Sequence, residues 1–97
     1  MARLSDEEID ERLAGGQWLR DGDSIVRDVE CDGFTGAMAL ANAVADAANA
    51  ANHHPDILVH GYKHLRLTLS THSEGGITEN DFGLAGTIDG LVADAPG

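Results

Sequence analysis

Asn52-His53-His54-Pro55 opens the stretch that orders the rest of this chain, and Leu65-Arg66-Leu67-Thr68-Leu69-Ser70-Thr71-His72 closes it. In the closing run Leu65, Leu67 and Leu69 alternate with His64, Arg66, Thr68 and Ser70. That period of two predicts a strand with one apolar and one polar face. Ile57 to His60 and Lys63 to Thr71 read as two strands joined through Gly61-Tyr62, and His72, at the end of the second, shares the polar face with Thr68 and Ser70. Pro55 disfavours helical geometry at the residue before it, so a preceding helix ends at or just before His54. Three of the five histidines thus fall at the two ends of one segment.

Working outward, Phe34 to about Ala51 is nearly all alanine with Met38, Leu40 and Val44, and alanine is the best helix former. Phe34, Met38, Ala41, Ala45 and Ala48 recur at helical spacing and are expected to form its packing face. Upstream of it, Gln17 to Arg20 and Ser24 to Cys31 are extended runs around Asp21-Gly22, a hairpin signal of the kind that needs positive φ at both central positions. Ile25 and Val29 point one way in the second run, with Arg27 interrupting their series. At the start, Leu4-Ser5-Asp6-Glu7-Glu8-Ile9 predicts a capped helix: Ser5 caps, Glu8 reaches back, and Leu4 staples against Ile9. Gly15-Gly16 ends it. Beyond His72, Ser73 to Gly76 is a loop and Thr78 caps a last helix, with Phe82, Ala85, Ile88 and Val92 along one side. Gly83, Gly86 and Gly90 weaken that helix by about 1 kcal/mol each relative to alanine, so packing must hold it. The order α-β-β-α-β-β-α predicts an α+β fold over residues 1–97, one domain in which a four-stranded antiparallel sheet carries three helices on one face.

Ninety-seven residues give a single small core, and only Trp18, Phe34, Tyr62 and Phe82 are aromatic, so a partner subunit is expected. The formal charge of -11 repels phosphate backbones and anionic lipid surfaces, which argues against nucleic acid and membrane as partners. Cys31 is the only cysteine, so no intrachain disulfide forms. The acidic start, Met1 to Glu11, lacks the pattern of a secretory signal and no run is long enough to span a bilayer, which points to a cytoplasmic protein.

The histidines admit three readings. Adjacent histidines after a helix can simply cap its last carbonyls, where the helix dipole favours their protonated form. Imidazole also binds zinc, but neighbouring residues rarely aim both rings at one ion, and no HExxH spacing is present. The third reading is general acid-base catalysis, with imidazoles from the helix end and the strand end in different protonation states. No nucleophile accompanies them: Cys31 lies on an earlier strand and no serine sits in an elbow motif. Elimination or addition of water suits this equipment better than acyl transfer.

His53-His54-Pro55, six residues to Tyr62, nine to His72 and eight to Asp81 resembles the signature of the pterin-4a-carbinolamine dehydratases, the dimerisation cofactor family. Leu-Thr-Leu-Ser-Thr-His at 67–72 and Gly-Gly-Ile-Thr-Glu-Asn-Asp at 75–81 agree with it, and the resemblance covers essentially the whole chain. It implies dehydration of 4a-hydroxytetrahydropterin to quinonoid dihydropterin in the recycling of a hydroxylase cofactor. By that resemblance His53 and His72 are the main acid-base groups, His54 binds and assists, and Asp81 shapes the site. Asn52, Pro55, Ser70 and Thr71 would border the substrate. The resemblance implies no metal or organic cofactor, and association as a homodimer or homotetramer. Where the family signature carries a charged residue, often Glu, this chain has Asn49, which can hydrogen-bond a pterin edge but supplies no negative charge. A non-catalytic pterin-binding or dimerisation module, and an enzyme acting on another pterin, are the alternatives.

Overall fold

The computed structural model describes residues 2–95. Helix α1 (Asp6–Leu13) starts at the expected capping box: Ser5 Oγ accepts from the Glu8 N–H at 3.2 Å, and Glu8 Oε1 accepts from the Ser5 N–H at 3.1 Å. Its one fully buried side chain is Ile9. Strands β1 (Leu19–Asp21) and β2 (Ser24–Glu30) form the first hairpin. Asp21 pairs with Ser24, so the central residues are Gly22 and Asp23, one place beyond the expected Asp21-Gly22. Only Gly22 of the two takes positive φ, +59°. A type II′ turn has that requirement, glycine first, rather than the double one read from the sequence.

Helix α2 (Gly33–Ala51) leads to β3 (Asp56–His60) and β4 (His64–Leu69), joined through Gly61 and Tyr62, both at positive φ. A short 3-10 turn, His72–Glu74, precedes helix α3 (Glu79–Asp94). The strands are all antiparallel and run β1-β2-β4-β3 across the sheet, giving the α+β order α-β-β-α-β-β-α with four strands and three helices.

Leu65, Leu67 and Leu69 of β4 and Ile25 and Val29 of β2 form the sheet's contribution to the core. Leu40, Ala41, Val44 and Ala48 of α2 cover them, with Leu84, Ala85 and Ile88 of α3. The packing face of α2 is rotated from the expected one, because Phe34 and Met38 are exposed at 56% and 40%. Ala41 and Ala48 are buried as expected, and Ala37, Leu40 and Val44 complete the face. Arg27 points to the helix side because it has a partner there: it pairs with Asp89 of α3, whose Oδ1 also accepts from Trp18 Nε1 at 2.8 Å. Among the described residues no helix is long and apolar enough to cross a membrane.

Candidate functional site

The end of α2 aims the histidine pair. Asn52 adopts the left-handed conformation at φ +50°. Its N–H bonds to the Asn49 carbonyl at 3.2 Å, and the His53 N–H bonds to the Ala48 carbonyl at 3.1 Å. Those two bonds are a Schellman motif, which satisfies carbonyls the helix would leave open and reverses the chain. The helix therefore stops at Asn52 rather than at the proline. Asparagine tolerates the left-handed region better than most residues, and that was the signal available in the sequence. Pro55 then fixes φ as the chain enters β3.

His53 is mostly buried, and its Nε2 lies 2.5 Å from Asp81 Oδ1. Asp81 is fully buried at the third position of α3. Its other oxygen accepts from the Thr78 N–H at 2.9 Å and from the Thr71 hydroxyl at 2.9 Å. The Thr71 and Thr78 hydroxyls are 2.8 Å apart, and Thr78 Oγ1 accepts from the Asn80 N–H at 3.2 Å. Among the described residues no buried side-chain nitrogen or oxygen lacks a partner, as burial in a low-dielectric interior requires. With Asp81 Oδ1 accepting, His53 carries its proton on Nε2 when neutral and leaves Nδ1 as an acceptor.

His54 and His72 meet in a shallow cleft lined also by Ser24, Asp56, Thr68 and Ser70. Its enclosed part measures about 30 Å³, room for about one water, so a flat ligand would lie across the mouth. His54 Nε2 is 3.0 Å from Asn49 Oδ1. His72 sits on the 3-10 turn just past β4 rather than on the strand, and its ring has no protein hydrogen-bond partner among the described residues. A closed loop holds it: Thr71 and Gly76 exchange backbone hydrogen bonds at 2.9 and 3.3 Å, and the Gly75 N–H reaches the His72 carbonyl at 3.1 Å.

The remaining expected site residues divide. Asn49 and Pro55 flank the histidines, while Ser70 borders the cleft and donates to the Asp23 carbonyl at 2.8 Å. Asn52 is exposed at the cap. Thr71 is turned inward, its hydroxyl engaged by Asp81 and Thr78. Ser24 and Asp56 line the cleft and were not singled out from sequence. Ser24 arrives from the other hairpin through the pairing of β2 with β4, and Asp56 directly follows the motif Pro55 in register with Thr68.

Two other features lie apart. His60 and His64 stack at 5.3 Å on the sheet face turned away from the helices, where Asp28 Oδ2 accepts from His60 at 2.8 Å and Arg66 at 3.1 Å. Partial burial works to raise the Asp28 carboxyl, but His60 and Arg66 outweigh it and hold it below its ordinary value. A cavity of about 290 Å³ between α2 and α3 is lined by Leu40, Ala43, Leu91, Val92 and Cys31. Burial, and then Asp28, push the Cys31 thiol up, away from thiolate chemistry. Among the described residues no three His, Cys, Asp or Glu side chains converge as a metal site would need.

The antiparallel sheet, its helix layer and a histidine-lined cleft where α2 and β4 end define a small α+β protein with a candidate site at one end of its sheet. Residues 2–91 match the family model described as pterin 4 alpha carbinolamine dehydratase. A protein of Acidobacterium capsulatum, provisionally assigned as a pterin-4-alpha-carbinolamine dehydratase, is 45% identical over 95% of this chain and 100% of its own. One from Nocardia farcinica with the same assignment is 47% identical over 92% of this chain and 94% of its own. The crystal structure of a transcriptional coactivator/pterin dehydratase from Brucella melitensis superposes with a TM-score of 0.86 at 29% identity, covering 93% of this chain and 98% of that one. A pterin dehydratase-like protein identified as a RuBisCO assembly factor in the alpha-carboxysome shares the fold, with a TM-score of 0.67 at 19% identity over 84% of this chain and 95% of that one. This chain belongs to the pterin-4-alpha-carbinolamine dehydratase family.

Proposed function

We propose that the protein dehydrates 4a-hydroxytetrahydropterin to quinonoid dihydropterin by histidine acid-base catalysis. The observation that carries the reading is the convergence of His54 and His72 on one cleft; His53, next to His54 in the chain, lies outside the cleft's lining and is oriented by Asp81. In the reaction the bond from C4a to the hydroxyl oxygen breaks, a proton joins that oxygen to release water, and a ring N–H proton departs. An imidazolium and a neutral imidazole on either side of a flat ring are the minimum apparatus for those two transfers. His72, exposed and with no hydrogen-bond partner for its ring among the described residues, suits the donor of the proton to the leaving oxygen. His53, with Nε2 fixed on Asp81 and Nδ1 left as acceptor, suits the base, and a base oriented by a third group is the familiar arrangement of an activated site. His54, tethered to Asn49, holds the ring between them.

Freshly generated 4a-hydroxytetrahydropterin should lose water faster in the presence of the protein, by the absorbance change of dehydration. His53→Ala and His72→Ala should each remove at least about a hundredfold of the acceleration, the usual worth of a positioned acid or base. A wild-type rate equal to buffer would sink the reading.

One observation favours a second role beside it. Phe34 and Met38 lie exposed and one turn apart on α2, an apolar stripe of the kind that marks a contact between chains. A second copy of this chain, giving a homodimer or homotetramer, is the occupant we propose. A non-catalytic module would keep that association while its histidine variants behaved as wild type in every assay.

A further inference from the structure

We propose that Asp56 is the residue that selects the ligand's ring, its carboxylate receiving the two parallel N–H donors on the aminopyrimidine edge of a pterin. The inference rests on the dehydratase reading and deepens it.

The cleft between His54 and His72 is otherwise lined by hydroxyls, from Ser24, Thr68 and Ser70. Asp56 is its one carboxylate. The carboxylates of Asp28, Asp81 and Asp89 are all taken up by donors of the protein itself: His60 and Arg66, Thr71 with Thr78, Trp18 with Arg27. Asp56 has no ion-pair partner among the described residues, so both of its oxygens are open to a ligand. Its backbone is nonetheless fixed. Pro55 sets the chain before it, and the pairing of Asp56 with Thr68 turns its side chain to the sheet face that carries Thr68 and Ser70.

An amino-oxo-pyrimidine presents an exocyclic NH2 and a ring N–H side by side on one edge. A carboxylate meets that pair with two parallel hydrogen bonds, the same geometry it uses toward a guanidinium. A neutral hydroxyl or amide cannot accept both at equal strength. Asn49, held at His54, carries no charge, so Asp56 is the anionic group the cleft has for this task. With the pyrimidine edge fixed at β3, the reacting edge of the ring is left to the histidines. Binding then depends on Asp56, and the chemical step does not.

The test compares equilibrium binding of two unreactive probes, 7,8-dihydropterin and its 2-oxo analogue, to wild type, Asp56→Asn and Asp56→Glu, with turnover on 4a-hydroxytetrahydropterin alongside. Wild type should prefer the 2-amino probe by about tenfold, the worth of one good charge-assisted contact at a half-open site. Asp56→Asn should lose both that affinity and that preference, raising KM with kcat little changed. Asp56→Glu should keep the preference in part. Because Asp56 is exposed at the end of an edge strand, the variants should melt as wild type does. An unchanged Kd and preference in Asp56→Asn would overturn the proposal and leave the dehydratase reading standing. A fall in kcat at unchanged KM would overturn it too, by placing Asp56 in the chemical step. Failure of the wild type to bind either probe or to speed dehydration would remove the dehydratase reading and this proposal together.

Discussion

Asp81 carries three tasks on two oxygens. It closes the capping box of α3 through the Thr78 N–H, receives the Thr71 hydroxyl, and orients His53. An amide of the same shape has one acceptor oxygen, so Asp81→Asn must turn its NH2 toward either the Thr78 N–H and Thr71 or the His53 Nε2–H. Facing Thr78 and Thr71, the NH2 sets donor against donor in a fully buried place; facing His53, it forces the neutral ring onto its other tautomer, with Nε2 accepting and Nδ1 no longer an acceptor. We expect a loss of about 1–3 kcal/mol in urea denaturation, the worth of hydrogen bonds to a charged acceptor, together with a fall in dehydration. An unchanged midpoint would show that the network relaxes freely. Half of this residue was legible in the sequence. Its place three residues after Thr78 announces a cap, because capping is a local rule. Its bond to His53 was not legible from spacing, because that contact joins residues 28 apart in the chain and depends on how the end of α2 meets the start of α3. Thr71 fails for the same reason: the alternation of β4 puts it on the apolar side as readily as it puts His72 on the polar one, but only the fold turns its hydroxyl to Asp81.

Elements differ in how plainly their faces read. In β4 the contrast between leucines and polar residues is complete, and Leu65, Leu67 and Leu69 are all fully buried. In α2 the helix itself was plain and its face was not, because a run of alanines gives almost no contrast around the axis. Phe34 and Met38 were the bulkiest apolar residues near its start and drew the expected face toward themselves. The buried face is instead Ala37, Leu40, Ala41, Val44 and Ala48, three alanines among them letting the helix sit close. The first hairpin was read one residue early because Asp-Gly is a stronger signal than Gly-Asp, while the pairing of Asp21 with Ser24 decides the register. Helix α3 holds glycines where packing does not ask for them. Gly90 is exposed, and a Cβ added there would meet nothing within 4 Å. Its cost is therefore only conformational, and Gly90→Ala should raise stability by about 0.5–1 kcal/mol, read as a higher melting temperature. A lower melting temperature would mean that another chain approaches α3 closely at that point.

At the scale of the whole molecule two properties oppose each other. The chain carries a formal charge of -11, so copies repel at long range. Its α2 surface shows Phe34 and Met38 to solvent, and at short range that uncharged stripe favours association. The charge is screened by salt and the apolar contact is not, with a Debye length of about 3 Å at 1 M against about 10 Å at 0.1 M. Association through α2 should therefore strengthen as salt is added, the reverse of an assembly held by surface ion pairs. Phe34→Asp adds a charge to the stripe without touching the core or the histidine cleft, and should reduce the mass seen by light scattering to the 10.2 kDa of one chain at micromolar concentration. The melting curve of that variant, measured where both proteins are monomeric, should match wild type, because Phe34 is already exposed within a chain. A wild-type protein that scatters as a monomer at every salt concentration would remove the interface, and one whose oligomer survives Phe34→Asp would move it to another surface.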